Sequence, residues 1–418
     1  MHPPPAIETN APGEAAPRPA PAGTLAEILA RVPAVAAEIG KDAAERDLSG
    51  ELPFREFKAI RDAGIGTLRV PKHLGGPGGS LRDVIEVIAA LASGDSNLAH
   101  ALRPHFNLTE SLILGPESAE QRLRLGQILD GFFFGGASTE LGTPRPGGVT
   151  ARLTKGTNGY RLNGRKYYAT GTSYADFLYT NALDDAGESV RLLLPTGRAG
   201  VNILEDFDGM GQRLSGSGGL QFTDVEVSEG EIYRSDKSTG GGPIGRHAST
   251  LRQLILIACQ VGSVRRLEAE AIDYTLKQAR PIAHSHAETA SGDFFVQREV
   301  GRIAAFRQAA DVLLEAAAGV LDRSAAAIQA RDPDVEGIVT RATFSVAKSQ
   351  IVLGPLCLQA AETIFNVGGG SATSRARNFD RHWRNIRTIM SHNPLYYKEK
   401  ALGDFILNEA PTPLGGAF

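Results

Sequence analysis

With 418 residues, 42% of them hydrophobic and 22% charged, the chain has apolar surface enough for a large core shared among two or three domains. A formal net charge of −3 offers no basic face for nucleic acid, so a small-molecule partner is expected. Cys259 and Cys357 stand in apolar helical runs without metal-type spacing, which predicts buried thiols and no metal site. No stretch reads as long and apolar enough to cross a bilayer; scarce cysteine and the lack of a charged-then-apolar leader predict a cytoplasmic protein.

Residues 1–23 are rich in Pro and Ala with little apolar surface to offset ordering, which predicts a disordered arm. From 24 to 130 the apolar residues recur at helical spacing, as in Ala26, Ile28, Leu29 and Val32, and again in Phe54, Phe57 and Ile60. Ser80 followed by Asp83, ahead of Val84, Ile85, Val87 and Ile88, has the form of a capping box. This part reads as an N-terminal helical domain.

Between 131 and 235 the period changes to two, in runs at 149–154, 160–169, 176–183 and 220–227, and predicts a small β domain. Asn158-Gly159 and Asn163-Gly164 are hairpin-type turn signals between or within those runs. From 236 to 418 helical periodicity returns in Leu251–Ala279, Phe294–Arg323 and Thr340–Asn366, long amphipathic stretches of the kind that pack as a bundle. The fold class is therefore mainly α with a small central β domain.

Gly240, Gly242 and Gly245 match a G-x-G-x-x-G spacing, but they follow a polar loop and enclose Pro243. A dinucleotide fingerprint needs a strand before it and a helix after it, so a mobile loop is the better reading, and reducing equivalents must come from outside.

Five further segments carry chemistry. They are Gly135–Glu140 (GGASTE), Lys166–Gly171 (KYYATG), the helix end Thr275–Pro281 with Arg280, Phe365–Gly370 (FNVGGG), and Asp380–Pro394 (DRHWRNIRTIMSHNP). Together with the Gly403–Asn408 ending they resemble the acyl-CoA dehydrogenase family, and within it the FMN-dependent monooxygenases that oxidise organosulfur compounds. The resemblance implies an N-terminal helical domain, a β-barrel-like middle domain and a C-terminal four-helix bundle. It also implies that Ser138, Thr139, Tyr168 and Thr170 meet the flavin ring, with Thr170 donating near N5. Arg280 would meet the flavin phosphate, and Gly369 and Gly370 would belong to a cofactor-gripping loop. In that loop Phe365 replaces the glutamine that holds the adenosine half of FAD, which favours FMN.

Where dehydrogenases of the family often carry a carboxylate base, this chain has His392-Asn393-Pro394. An unpaired imidazole is a poor substitute for a base that takes a thioester α-proton, but it can manage an oxygen-derived group. The resemblance thus implies a two-component monooxygenase: a separate NAD(P)H-dependent flavin reductase supplies FMNH2, a flavin C4a-hydroperoxide forms, and His392 and His105 hold it beside Thr170. Gly136 and Phe207 would border the substrate pocket, the loops 238–245 and 282–292 would act as a lid, and the protein would be a homotetramer. Two other readings stay open here: an FAD-dependent acyl-CoA dehydrogenase or oxidase, and a flavin-free scaffold.

Overall fold

The computed structural model describes residues 23–145, 147–157, 159–233, 242–411 and 413. The arm at 1–22, Asn158 and the first half of the loop at 238–245, Gly240 included, lie outside them. Six α-helices come first: α1 (Leu25–Gly40), α2 (Ala43–Ser49), α3 (Phe54–Asp62), α4 (Leu81–Ala101), α5 (Arg103–Leu114) and α6 (Ala119–Leu129). The Ser80–Asp83 capping box forms as its spacing predicts: Ser80 accepts from the Asp83 N–H, and the Asp83 carboxylate accepts from the Ser80 N–H at 2.7 Å. Ile28, Val32 and Ile39 of α1 join Val84, Ile85 and Ile88 of α4 in one buried cluster. Each such side chain contributes about 2 kcal/mol through burial.

Eight strands follow: β1 (Phe134–Ala137), β2 (Arg152–Gly156), β3 (Gly159–Lys166), β4 (Phe177–Leu183), β5 (Ser189–Pro195), β6 (Val201–Ile203), β7 (Leu220–Val227) and β8 (Ile232–Tyr233). They form one sheet in the order β6-β7-β3-β2-β4-β5-β8, with β1 parallel to β4. Its inward residues, among them Leu153, Leu162, Leu178, Leu192 and Phe222, make a second core. Two sequence expectations change here. Asn163-Gly164 does not turn the chain; it sits at a register shift of β3 on β7, so one extra residue is absorbed as a bulge. The run predicted to 169 stops as a strand at Lys166, because Tyr168 takes a left-handed backbone, φ 56°.

The chain closes with α7 (Pro243–Lys277), α8 (Phe294–Ala330), α9 (Val335–Gly368), α10 (Asp380–Met390) and α11 (Leu395–Asn408). Leu251, Leu254 and Ile255 of α7 enter the same cluster as α1 and α4, so the first helices and the bundle share a core. Cys259 and Cys357 are both fully buried. By length and composition α9 with the turn after it could cross a membrane, contrary to the sequence reading. It packs instead along α7 and α8, with Cys357, Ala360, Ala361 and Ile364 buried against them.

Candidate active site

Within the sheet, two of the sequence motifs are joined by a buried ion pair. The Lys166 ammonium donates to the Glu140 carboxylate at 2.6 Å and to Asn181 at 3.0 Å, both charged side chains being almost fully buried. Glu140 also accepts from the Thr150 and Ala151 N–H groups, at 2.6 and 3.1 Å. This pair fixes Thr139 opposite Tyr167, and leaves Ser138 and Thr139 exposed just beyond β1. Tyr168 then turns outward, half exposed, with its ring edge-on to Phe207 at 6.3 Å.

Thr170 points inward and is buried. Its hydroxyl lies 3.0 Å from that of Ser217, Ser217 and Ser215 share a further bond at 2.7 Å, and Ser215 donates to the Gln212 carbonyl at 2.7 Å. The next residue, Gly171, has φ +74°, and a Cβ there would stand 2.2 Å from the Ala101 carbonyl oxygen. The close approach brings the hydroxyl run against the end of α4.

That end of α4 is re-aimed by a break in the helix. Asp95 has φ −146° and ψ 111°, and its carboxylate accepts from the Asn97 N–H at 3.0 Å, as an N-cap does. The last turn, restarted at Ser96, presents His100 to Gln212: His100 Nδ1 lies 3.1 Å from Gln212 Oε1, and Gln212 donates through Nε2 to Ser96 at 3.0 Å. With an amide oxygen as partner, Nδ1 carries the proton, and Nε2 is left buried without a partner. Burial, then the Arg103 charge, pushes His100 well below the usual imidazole range, so it is neutral.

The long C-terminal motif turns out to be a clamp that presents one side chain. Arg381 and His382 bind Glu270 of α7, the His382 Nε2 contact being 2.9 Å. Arg384 donates to Asp47 of α2 at 2.6 Å, and Asn385 accepts from the Gln212 N–H at 2.7 Å. Asn393 donates to Gln253 of α7 at 2.7 Å, and Pro394 starts α11. Between the two helices His392 is held facing solvent, its Nε2 only 3.1 Å from Arg103 Nη1. A guanidinium only donates, so Nε2 accepts and the ring proton is on Nδ1. Desolvation of the ring on its protein side, then the Arg103 charge, push its pKa down to about 3.

Two arginines share this corner. Burial lowers Arg103 to about 10 and lowers Arg252 as well, with Tyr179 partly offsetting both, Arg252 adding to the effect on Arg103 and Arg191 to that on Arg252. Gly136 belongs here too: a Cβ on it would lie 2.4 Å from the Tyr179 ring, so the glycine lets that ring lie across β1.

Other expected site residues are elsewhere. His105 is a core residue, 1% exposed. Its Nε2 donates to the Gly66 carbonyl at 2.8 Å and its Nδ1 accepts from the Phe134 N–H at 3.3 Å, with Phe133 packed on the ring at 4.6 Å. Neither nitrogen is free for a reacting group, and burial lowers it to about 4. The histidine that joins His392 is His100. Arg280 is exposed just past the end of α7, and Gly369 and Gly370 lie at the end of α9 beside it, where Arg377 bridges to Gln278 at 2.7 Å. From Arg252 to that end is about 25 residues of helix at about 1.5 Å each, roughly 38 Å. Within one chain the predicted cofactor residues therefore form two separate groups. Gly242 caps α7 and Gly245 lies in its first turn.

Known proteins share both the sequence and the shape. The acyl-CoA dehydrogenase N-terminal domain pattern matches residues 27–129, and the C-terminal domain pattern matches 254–396. A probable FMNH2-dependent monooxygenase of Pseudomonas putida is 30% identical over 97% of this chain and 99% of its own length. The dibenzothiophene monooxygenase of Paenibacillus sp. A11-2, solved with FMN bound, superposes with a TM-score of 0.85 at 27% identity, covering 94% of this chain and 100% of that one. The methanesulfinate monooxygenase of Pseudomonas fluorescens gives a TM-score of 0.83 at 26% identity, over 93% and 99% of the two chains.

Proposed function

The chain belongs to the FMNH2-dependent monooxygenases of the acyl-CoA dehydrogenase fold, and on that footing we propose that His392, His100 and Thr170 are the groups with which it directs one oxygen atom onto a small sulfur compound. It is a flavin-dependent oxidoreductase using FMN. The observation that carries the residue assignment is the pair of neutral imidazoles at one corner, with an Arg between them and no carboxylate contact to any of the three among the described residues.

The residues fit a flavin. His100 Nε2 is a buried acceptor without a partner, and the Thr170 hydroxyl ends the hydroxyl run that passes through Ser217. When bound, reduced FMN supplies two electrons to dioxygen, so that one oxygen atom reaches the substrate and the other leaves as water. Thr170 would meet the flavin edge near N5, Ser138 and Thr139 would border the ring, and Tyr168 with Phe207 would exclude water. His392 would donate through Nδ1–H, and His100 would accept a hydrogen bond at Nε2.

The distant group, Arg280 with Gly369 and Gly370, serves the flavin phosphate in this reading, contributed by a second copy within a homotetramer. The partner in solution is an NAD(P)H-dependent flavin reductase, and the enzyme works in the cytoplasm. The test supplies reductase, NADH, FMN and oxygen with a panel of thioethers, sulfinates, amines and indoles. Oxidised product that requires every component supports the proposal. Tight FAD together with reduction of an electron acceptor by acyl-CoA thioesters would refute it.

A further inference from the structure

We propose that Gln212 is a positioning residue for the oxygen transfer, its side-chain oxygen setting which nitrogen of His100 serves as the acceptor. This rests on the monooxygenase reading above and adds the residue that keeps one of its groups in the working form.

Gln212 is 1% exposed and takes a left-handed backbone, φ 55°, although it is not a glycine. A Cβ disfavours that conformation, so it persists only where the surroundings fix it from several sides. Here they do. The Gln212 N–H donates to Asn385 of α10 at 2.7 Å, its Nε2 donates to Ser96 at 3.0 Å, and its carbonyl accepts from Ser215 at 2.7 Å. The residues that follow are tied down in the same way. The Leu214 N–H donates to Asn97 at 3.1 Å, and the Ser215 carbonyl accepts from the Gly171 N–H at 3.0 Å. Gln212 thus stands where the last turn of α4, with His100, meets α10, which leads to His392, and the turn that follows Thr170.

The amide has one oxygen, and it lies 3.1 Å from His100 Nδ1. An imidazole nitrogen beside an oxygen acceptor must donate, so the proton is on Nδ1 and Nε2 is left as a buried acceptor. With an apolar side chain at position 212, nothing would choose between the two tautomers. A carboxylate there would keep the proton on Nδ1 and add a charge that favours the protonated ring. Burial, then Arg103 of α5 and His392, oppose that protonation.

Two-bond 1H–15N spectra of the full-length protein labelled with 15N-histidine read the tautomer without turnover, the His100 signals being identified by their loss in His100→Ala. The wild type is expected to show His100 protonated on Nδ1. Gln212→Met should lose that preference, with protonation of Nε2 rising, and should form about tenfold less oxidised product, or lower still, per NADH consumed. Gln212→Glu should keep the Nδ1–H tautomer and gain an acid limb in rate against pH that the wild type lacks. A purely structural role would not produce that limb, and this variant carries the test if Gln212→Met does not fold. His100 protonated on Nε2 in the wild type, an unchanged tautomer or product yield in folded Gln212→Met, or superimposable pH profiles for the wild type and Gln212→Glu would overturn it. If the tautomer follows position 212 as predicted but the wild type transfers no oxygen with reductase present, the hold of Gln212 on His100 stands and the monooxygenase reading fails.

Discussion

Arg103 Nη1 and His392 Nε2 are 3.1 Å apart, a pairing in which the imidazole can only accept. Desolvation, and then this cation, hold His392 in its neutral form. Because the neutral ring is the working form, wild-type activity carries no acid limb from His392 until the pH approaches about 3. In Arg103→Gln that limb moves upward by about one unit or more, since Arg252 and Lys398 remain as the nearby cations. Rate against pH for both proteins checks this; superimposable acid limbs would count against it.

His105 gives a stability signature and no catalytic one. Its folded-state pKa is about 4, against an ordinary 6.5. The unfolded chain takes up the proton first, so its contribution is intact above pH about 6.5 and is lost as the pH falls towards about 4. The full loss is about 3 kcal/mol. Urea midpoints measured across that window should fall in the wild type and fall less steeply in His105→Asn.

Gly171→Ala forces a Cβ to 2.2 Å from the Ala101 carbonyl at a backbone φ of +74°. We expect a loss of about 2 kcal/mol or more. The disturbance reaches the neighbouring His100, so activity should drop further than thermal stability alone explains. A fully active, fully stable Gly171→Ala protein would contradict the close packing.

Breaking the Lys166–Glu140 pair leaves a buried charge without compensation. Lys166→Met should cost about 3–5 kcal/mol, and adding Glu140→Leu should recover much of it. The comparison is a double-mutant cycle by chemical denaturation; equal losses in the single and double variants would mean that the two charges are not coupled.

Much of the fold was legible because periodicity survives folding: a 3.6-residue period, then 2, then 3.6 again marks the helices, the sheet and the bundle. The Asp380–Pro394 motif was legible as a unit, although its charged residues proved to be anchors for His392. What was missed concerns direction. His100 and His105 are five positions apart, roughly 140° around a helix, so only one of them can face the site. The signal that decides between them is Gly94-Asp95-Ser96-Asn97, a break-and-cap sequence inside an apolar helix. Lys166 was read with its motif because nothing in a strand's alternation shows that its partner lies in another segment at Glu140. Arg103, ahead of Pro104, looks in sequence like an ordinary helix start; only the folded chain shows it against His392.

The central claim is that neutral imidazoles at His392 and His100 steer an oxygen atom to sulfur. Oxygen-18 labelling tests it most directly, with 18O2, a flavin reductase, NADH, FMN and methanesulfinate. The account predicts one labelled oxygen in the product with the wild type. In His392→Ala and His100→Ala it predicts loss of labelled product by about a hundredfold or more while NADH and oxygen are still consumed. Undiminished labelling in both variants, or product whose new oxygen comes from water, would contradict it.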